Sequence, residues 1–433
     1  MNTLIRRLLL VLLFFIGLTA IAEAAEEAIF KPEQHKLRLE DAIHMALKQN
    51  PDLKMEKERR HVEAERLKQA KRFLKENPEL SIDVDYRKRK FASPSGDSGT
   101  DFELRLLQEI EISGQREHRI ETAEKYLDAA RWRIAETERQ LRLKVNRLFY
   151  GLQILQEKID IQSQRLALQK SLFTAGQKRF QQEDISVLEI DTLRFDRDQA
   201  QQDLSKLKAE KLVIEQALRS SLGLEDGQEV VAVGALSPDL SQERKTPDAL
   251  GELEACALKH RPDLKAMEAA REGDDAAFQL AKSSKVPNLA LGPLFKSDNE
   301  DTVIGASLII PLPFFNRNQE AVTEARVNLD VMQIALDAKE REIRAEVSAA
   351  HRGFLLAENQ FNLYGEAYLK RLKERSTFPE RAYRAGEIGI FEFSVAQGRL
   401  AEAQMRYLDA LLALLKARAY LDAQLGACRS IER

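Results

Sequence analysis

The stretch Thr302–Ala325, TVIGASLIIPLPFFNRNQEAVTEA, constrains the rest of the chain. Ile304, Ala306, Leu308 and Ile310 alternate along an extended run, which puts them on one face, because successive side chains of a strand point to opposite sides. Pro311-Leu312-Pro313 ends that run, since proline has no backbone donor for a ladder. Asn316-Arg317-Asn318-Gln319 reads as a polar helix start, and a long helical pattern continues from Glu320. A strand is thus joined to a long helix through two prolines.

The same plan occurs twice. Ala46–Lys54 aligns with Ala257–Lys265, seven identities in nine, at an offset of 257 − 46 = 211. Ala123, Leu127, Asp128, Glu138, Arg139, Val145 and Gly151 recur as Ala325, Leu329, Asp330, Glu340, Arg341, Val347 and Gly353 at an offset of 202. Leu222-Gly223 recurs as Leu425-Gly426 at 203. Two copies therefore fill most of the chain. The expected organisation is a leader at 1–24, a first repeat at 25–225, a linker at 226–252, a second repeat at 253–426 and a tail at 427–433.

The leader reading rests on Arg6-Arg7, the apolar run Leu8–Leu18 and the small-residue site Ala22-Glu23-Ala24, the pattern of a cleaved secretory signal. No cysteine lies near that site to carry a lipid. Beyond it no apolar run reaches the length of a spanning helix, so any contact with a bilayer interior has to come through strands. Each copy offers a pair of them. Leu80, Ile82, Val84 and Tyr86 alternate with polar residues, as do Phe102, Leu104 and Leu106, which places one pair at about 80–112. The second pair, at about 288–310, joins Leu289, Leu291 and Phe295 to the Thr302 run, with Gly292-Pro293 inside its first strand. Each is apolar on one face and near the length of a spanning strand.

A long helical pattern follows each pair, Gln115–Gln182 and Asn316–Ala385. Unbroken, each would reach about 100 Å. The patterns break at Gln181–Ser186 and at Gly386–Gly389, then return, giving helical hairpins at about 115–222 and 316–425. Leu193, Leu204, Leu207 and Leu218 are spaced to pack against a neighbouring helix. The composition suits long helices, with 32% charged and 6% aromatic residues. A net charge of −3 carries no basic field for nucleic acid. Four strands cannot close a barrel, and open edges in lipid are very costly. The expected fold is mainly α with a small β part. Three chains would share a twelve-stranded membrane barrel, continuous with an α-helical barrel of coiled-coil hairpins.

The LRLEDAIHMALKQNPDL opening and its repeat, the two strand pairs, the PLPFFNRNQ junction and the RAYRAGEIGIFEF segment together resemble the TolC family of outer-membrane efflux channels. The junction is most similar to the branch that works with cobalt-zinc-cadmium exporters. The resemblance implies a homotrimer in outer-membrane lipid with a long periplasmic extension. It implies docking to a periplasmic adaptor and to an inner-membrane pump of the RND type. It also implies that the adaptor-contacting tips are Glu183, Asp184, Ile185 and Ser186 in copy one, and Gly386, Glu387, Ile388 and Gly389 in copy two. Copy one has Glu183 where the family's tip glycine is expected. Of the two entrance acids of some members, Glu392 is kept and Val395 replaces the other. Three Glu392 side chains would form a cation-attracting ring; a solvated helix residue is the alternative.

No nucleophile elbow, phosphate loop, zinc-protease motif or dinucleotide fingerprint occurs, so neither an enzyme nor a cofactor is expected. The six histidines are scattered, and no dedicated metal site is expected. Cys256 and Cys428, the only cysteines, form a disulfide or remain two buried thiols. Two other functions stay open: a duct for organic toxins or polypeptide, and a soluble periplasmic coiled-coil adaptor.

Overall fold

A computed structural model describes residues 34–88, 98–225, 229–234, 249–298, 301–364 and 377–426, with the isolated positions 236, 368, 372, 374 and 428. The leader at 1–24 and most of the linker and tail lie outside the described residues. In chain order the elements are β1 (Gln34–Leu37), α1 (Leu39–Gln49), α2 (Pro51–Ala70), β2 (Glu79–Lys88), β3 (Ser98–Ile110), α3 (Gln115–Gln181) and α4 (Val187–Leu222). There follow β4 (Glu229–Ala232), α5 (Leu250–His260), α6 (Pro262–Ser283), β5 (Leu289–Ser297), β6 (Thr302–Ile309), α7 (Gln319–Asn362), α8 (Phe378–Arg384) and α9 (Ile390–Leu425). The fold is mainly α with a small β part. Among the described residues no helix is long and apolar enough to cross a membrane.

Contacts divide the chain into two compact units. One comprises Met1–Asn50, Leu141–Arg244 and Phe354–Ala419; the other comprises Pro51–Gln140, Lys245–Gly353 and Tyr420–Arg433. Each unit draws on both sequence repeats, so the repeat and the packing unit are different divisions of the molecule.

In the first unit, α3 packs against its neighbours through short apolar clusters. Leu166 meets Ala200 and Leu204 of α4, and Ile154 meets Leu408, Leu411 and Leu415 of α9. Leu193, Leu204 and Leu218 of the expected seam are buried, and Leu207 is half-buried. Burying each such leucine contributes roughly 1.5–3 kcal/mol. The α1–α2 break falls at Asn50-Pro51, where proline forces its predecessor out of the helical region (Asn50 φ −55°, ψ 128°). Asn50 Nδ2 donates to the Ser221 carbonyl at 3.0 Å, and Gly223 closes α4 in the left-handed region at φ 73°. A Cβ on Gly223 would stand 2.8 Å from the Gln49 carbonyl oxygen.

β1 and β4 form a parallel pair that sequence reasoning did not find. Gln156 completes it by imitating a strand, donating to the Ala232 carbonyl and accepting from the Ala232 N–H, both at 3.0 Å. Gln153 Nε2 donates to the Gly234 carbonyl, and the Val230 N–H donates to Glu215 Oε1.

The second unit holds the repeat's other version. Arg261 precedes Pro262 with similar angles (φ −68°, ψ 126°), and Gly426 repeats the left-handed cap at φ 66° beside the His260 carbonyl. Here the contact is ionic. Arg261, only 1% exposed, donates to Asp263 through Nε and Nη2 at 3.0 and 2.6 Å. Its Nη1 donates to Glu346 at 2.6 Å and to Gln424 at 2.7 Å. Cys256 and Cys428 are joined as a disulfide with Cα atoms 6.1 Å apart, within the normal span. Tyr126 of α3 lies over Gly273 of α6, where a Cβ would come within 3.0 Å of the ring, and its hydroxyl donates to Asp274.

This unit also holds the four-stranded sheet, ordered β2-β3-β5-β6 and antiparallel throughout. β5 runs through Gly292-Pro293 because the β3–β5 ladder skips that point, passing from Arg105↔Leu294 to Gln108↔Leu291. The helices then begin with a shared device. Gln115 Oε1 accepts from the Ser113 N–H at 2.6 Å, and Gln319 Oε1 accepts from the Arg317 N–H at 2.7 Å. Between them sit left-handed residues, Gly114 at φ 77° and Asn318 at φ 58°. Helix α7 therefore starts at Gln319, not at the expected Asn316. It also stops at Asn362, short of Ala385, where Leu363 and Tyr364 turn. Tyr368, Leu372 and Glu374 are again helical, and α8 carries Pro379 in its first turn, where the missing donor costs nothing.

Candidate functional site

The two tips are built alike from different residues. After α3, the Asp184 N–H donates back to the Arg179 carbonyl at 2.9 Å, and the Glu183 N–H donates to Phe180 at 3.0 Å. After α8, the Glu387 N–H donates to Ala382 at 2.9 Å, and the Gly386 N–H donates to Tyr383 at 3.1 Å. Both patterns close a helix C-terminus through a left-handed residue. In copy two that residue is Gly386 at φ 74°; in copy one it is Glu183 at φ 62°. A non-glycine residue there costs roughly 1–2 kcal/mol. Glu183→Gly is expected to raise stability by about 1 kcal/mol with the tip unchanged, read as an increase in melting temperature. An unchanged or lower melting temperature counts against strain at this turn.

The returning helices also start alike. Ser186 caps α4: its hydroxyl accepts from the Glu189 N–H, and Glu189 Oε2 accepts from the Ser186 N–H at 2.8 Å. That backbone bond, and then the Ser186 hydroxyl, holds the Glu189 carboxyl below its ordinary range. At α9 the Gly389 N–H donates to Glu392 Oε2 at 2.8 Å. Glu392 is thus the counterpart of Glu189, and one of its oxygens caps its own helix. Gly389 does not share the left-handed backbone of Gly386.

Of the eight expected tip residues, Glu183, Asp184, Ser186, Gly386, Glu387 and Gly389 are exposed. Ile185 and Ile388 turn inward instead, against a core of Leu172, Phe173, Ile190, Leu193, Ile390 and Phe393. The structure thereby brings both tips onto one cluster. Gly176 permits this: a Cβ there would lie 2.6 Å from Leu193 Cδ1. Behind the tips, the Ser394 hydroxyl of α9 sits 2.8 Å from Asp196 Oδ2 and 3.0 Å from Gln169 Oε1. Sequence reasoning missed Ser394 and Gly176, which belong to no motif.

The sheet presents two unlike faces. Leu80, Ile82, Val84 and Tyr86 of β2, with Ile304 and Leu308 of β6, are exposed apolar residues. Among the polar positions between them, Arg87 pairs with Asp101 and Asp298, and Arg105 pairs with Asp83 and Glu103. At the end where the helices begin, every strand terminus carries an exposed apolar residue: Phe73 before β2, Ile112 after β3, Val286 before β5, and Phe314 and Phe315 after β6. Phe315 is 95% exposed. Its position in copy one is Glu111, which pairs with Arg119 at 2.6 Å. Among the described residues no group of three or more His, Cys, Asp or Glu is placed to hold a metal ion.

A family model described as outer membrane efflux protein matches residues 42–224 and 255–427. The cobalt-zinc-cadmium resistance protein CzcC of Cupriavidus metallidurans is 27% identical over 330 residues, covering 73% of this chain and 75% of its own. The CmeC outer membrane channel of Campylobacter jejuni superposes with a TM-score of 0.73 at 16% identity, over 90% of this chain and 85% of that one. A CusC structure, from work on folding and transmembrane channel formation, gives a TM-score of 0.70 at 17% identity, over 90% and 92%. The open state of the Neisseria gonorrhoeae MtrE outer membrane channel gives 0.67 at 16% identity, over 90% and 89%.

Proposed function

The chain belongs to the outer membrane efflux protein family, and from that premise we propose that it is the outer-membrane duct of a tripartite efflux system, a passive trimeric exit for heavy-metal cations. The observation that carries the reading is the sheet: four strands, apolar on one face and ion-paired on the other, with β2 and β6 each keeping an edge unpaired among the described residues. Such a sheet is stable in lipid only when its edges meet partners. Three chains joined edge to edge supply twelve strands, enough to enclose a lumen lined by the paired charges. The apolar collar of Phe73, Ile112, Val286 and Phe315 suits the boundary between lipid and water.

The cation cargo rests on the likeness to the cobalt-zinc-cadmium resistance protein. Organic toxins or polypeptide are the second cargo reading, since in a tripartite system the pump selects. The family match weighs against a soluble adaptor. In this reading the exposed tip residues meet a periplasmic adaptor that links the duct to an RND-type pump. Glu392 would line the entrance with its free carboxylate oxygen, three copies drawing cations inward.

Three measurements test the proposal. Protein purified in mild detergent is expected to be trimeric; a stable monomer with its sheet intact would sink the shared barrel. A deletion strain is expected to become sensitive to divalent metals, and a drug-only phenotype would transfer the cargo to the second reading. Gly386→Val forces a β-branched residue into the left-handed region, and is expected to abolish resistance at unchanged trimer abundance. Full resistance would make the tip a turn only.

A further inference from the structure

Cys256 and Cys428 are separated by 172 residues, so their bond encloses the second repeat. It cannot form until α9 has returned to α5. Noncovalent contacts already bring those ends together: Gln424 accepts from Arg261, and Gly426 rests beside His260. In the first repeat the corresponding positions are Met45 and Glu225, at offsets of 211 and 203. That copy is fastened without a covalent bond, by Asn50 to Ser221 and Gly223 against Gln49. The staple therefore belongs to one copy only. The chain has just two cysteines, so within one chain a single disulfide can be made and no rearrangement is needed to reach it.

We propose that closure of the second repeat is a separate oxidation step, carried out by a thiol–disulfide oxidoreductase in its disulfide form after α9 has docked. An outer-membrane protein crosses a compartment where such chemistry operates. One cysteine thiolate attacks the donor disulfide, giving a mixed disulfide and releasing one donor thiolate. The second cysteine then displaces the other donor sulfur. The protein loses two protons and two electrons in all, and the donor, having gained them, leaves as a dithiol.

The step can be followed in cells and on purified protein. Pulse-labelled chains alkylated at successive times are expected to pass from two free thiols to none, and to do so at least several-fold more slowly in cells lacking the oxidase. Loss of an isomerase should leave the time course unchanged. The paired variant Cys256→Ser/Cys428→Ser is expected to insert in the membrane, with a melting temperature lower by roughly 5–10 °C and faster proteolysis near residue 420. Both thiols reacting with the alkylating agent in mature unreduced protein would overturn the proposal. So would a disulfide-linked dimer of chains on a non-reducing gel, or oxidation at the parental rate without the oxidase.

Discussion

Gly292→Ala is expected to prevent the sheet from forming. A Cβ at this position would stand 1.7 Å from the Leu106 carbonyl oxygen and 2.8 Å from its carbon. Both are backbone atoms of β3, held on their other side by the Leu80↔Leu106 pairing with β2. Relief therefore requires a strand to move, not a side chain. The adjoining Pro293 contributes no N–H to the gap in the ladder, so β3 and β5 have little pairing there with which to absorb the shift. A cost above about 4 kcal/mol places the substitution among the exceptional ones. The readout is the yield of membrane-inserted, protease-resistant protein, expected to fall close to zero. Gly305→Ala on β6 is the control, because a Cβ there meets nothing within 4 Å. Equal yields from both variants would mean that β3 does not press on Gly292.

Arg261→Asn, which installs the residue found at the same point of the first repeat, is expected to cost about 3–5 kcal/mol, the usual result of removing one member of a buried ionic set. Asp263 and Glu346 would both lose their guanidinium. Burial by itself pushes the Asp263 carboxyl up, but hydrogen bonds and charge from Arg261, with Lys339, overcome it and hold the group at about 2. A carboxyl held below its ordinary 3.8 stabilises the fold above that value. Its contribution is lost as the pH falls from there through about 2. The parent is thus expected to lose stability in that window. Arg261→Asn should be weaker at neutral pH and lose less on acidification, because burial then favours the protonated acid. Parallel stability–pH curves for the two proteins would show that Arg261 is not what holds Asp263.

Period-two and helical patterns are enough to read the four sheet strands and the two helix breaks, because each depends on residues close in sequence. Gly292-Pro293 interrupts the alternation of β5, yet the strand forms, since the β3–β5 ladder skips that point while the pairing with β6 continues through it. β1 and β4 could not be read, being four residues each and completed by Gln156, a side chain on a distant helix. The start of α7 lies beyond the expected Asn316 because Asn318 takes a left-handed backbone usually left to glycine; Gly114-Gln115 in the first copy carries the hint. Ile185 and Ile388 lay within the tips, but their inward direction depends on a core assembled from three helices. Phe315 was visible in the sequence, while its near-complete exposure was not.

The unlike fastenings at the Asn50 and Arg261 breaks give the two repeats different responses to their surroundings. The Asn50 fastening is an uncharged amide contact, and the Arg261 fastening is a charged clamp. Acid acts on the charged clamp and leaves the amide contact almost untouched. Acid would therefore loosen the second repeat's fastening before the first's, the weak point fixed by which copy kept the asparagine.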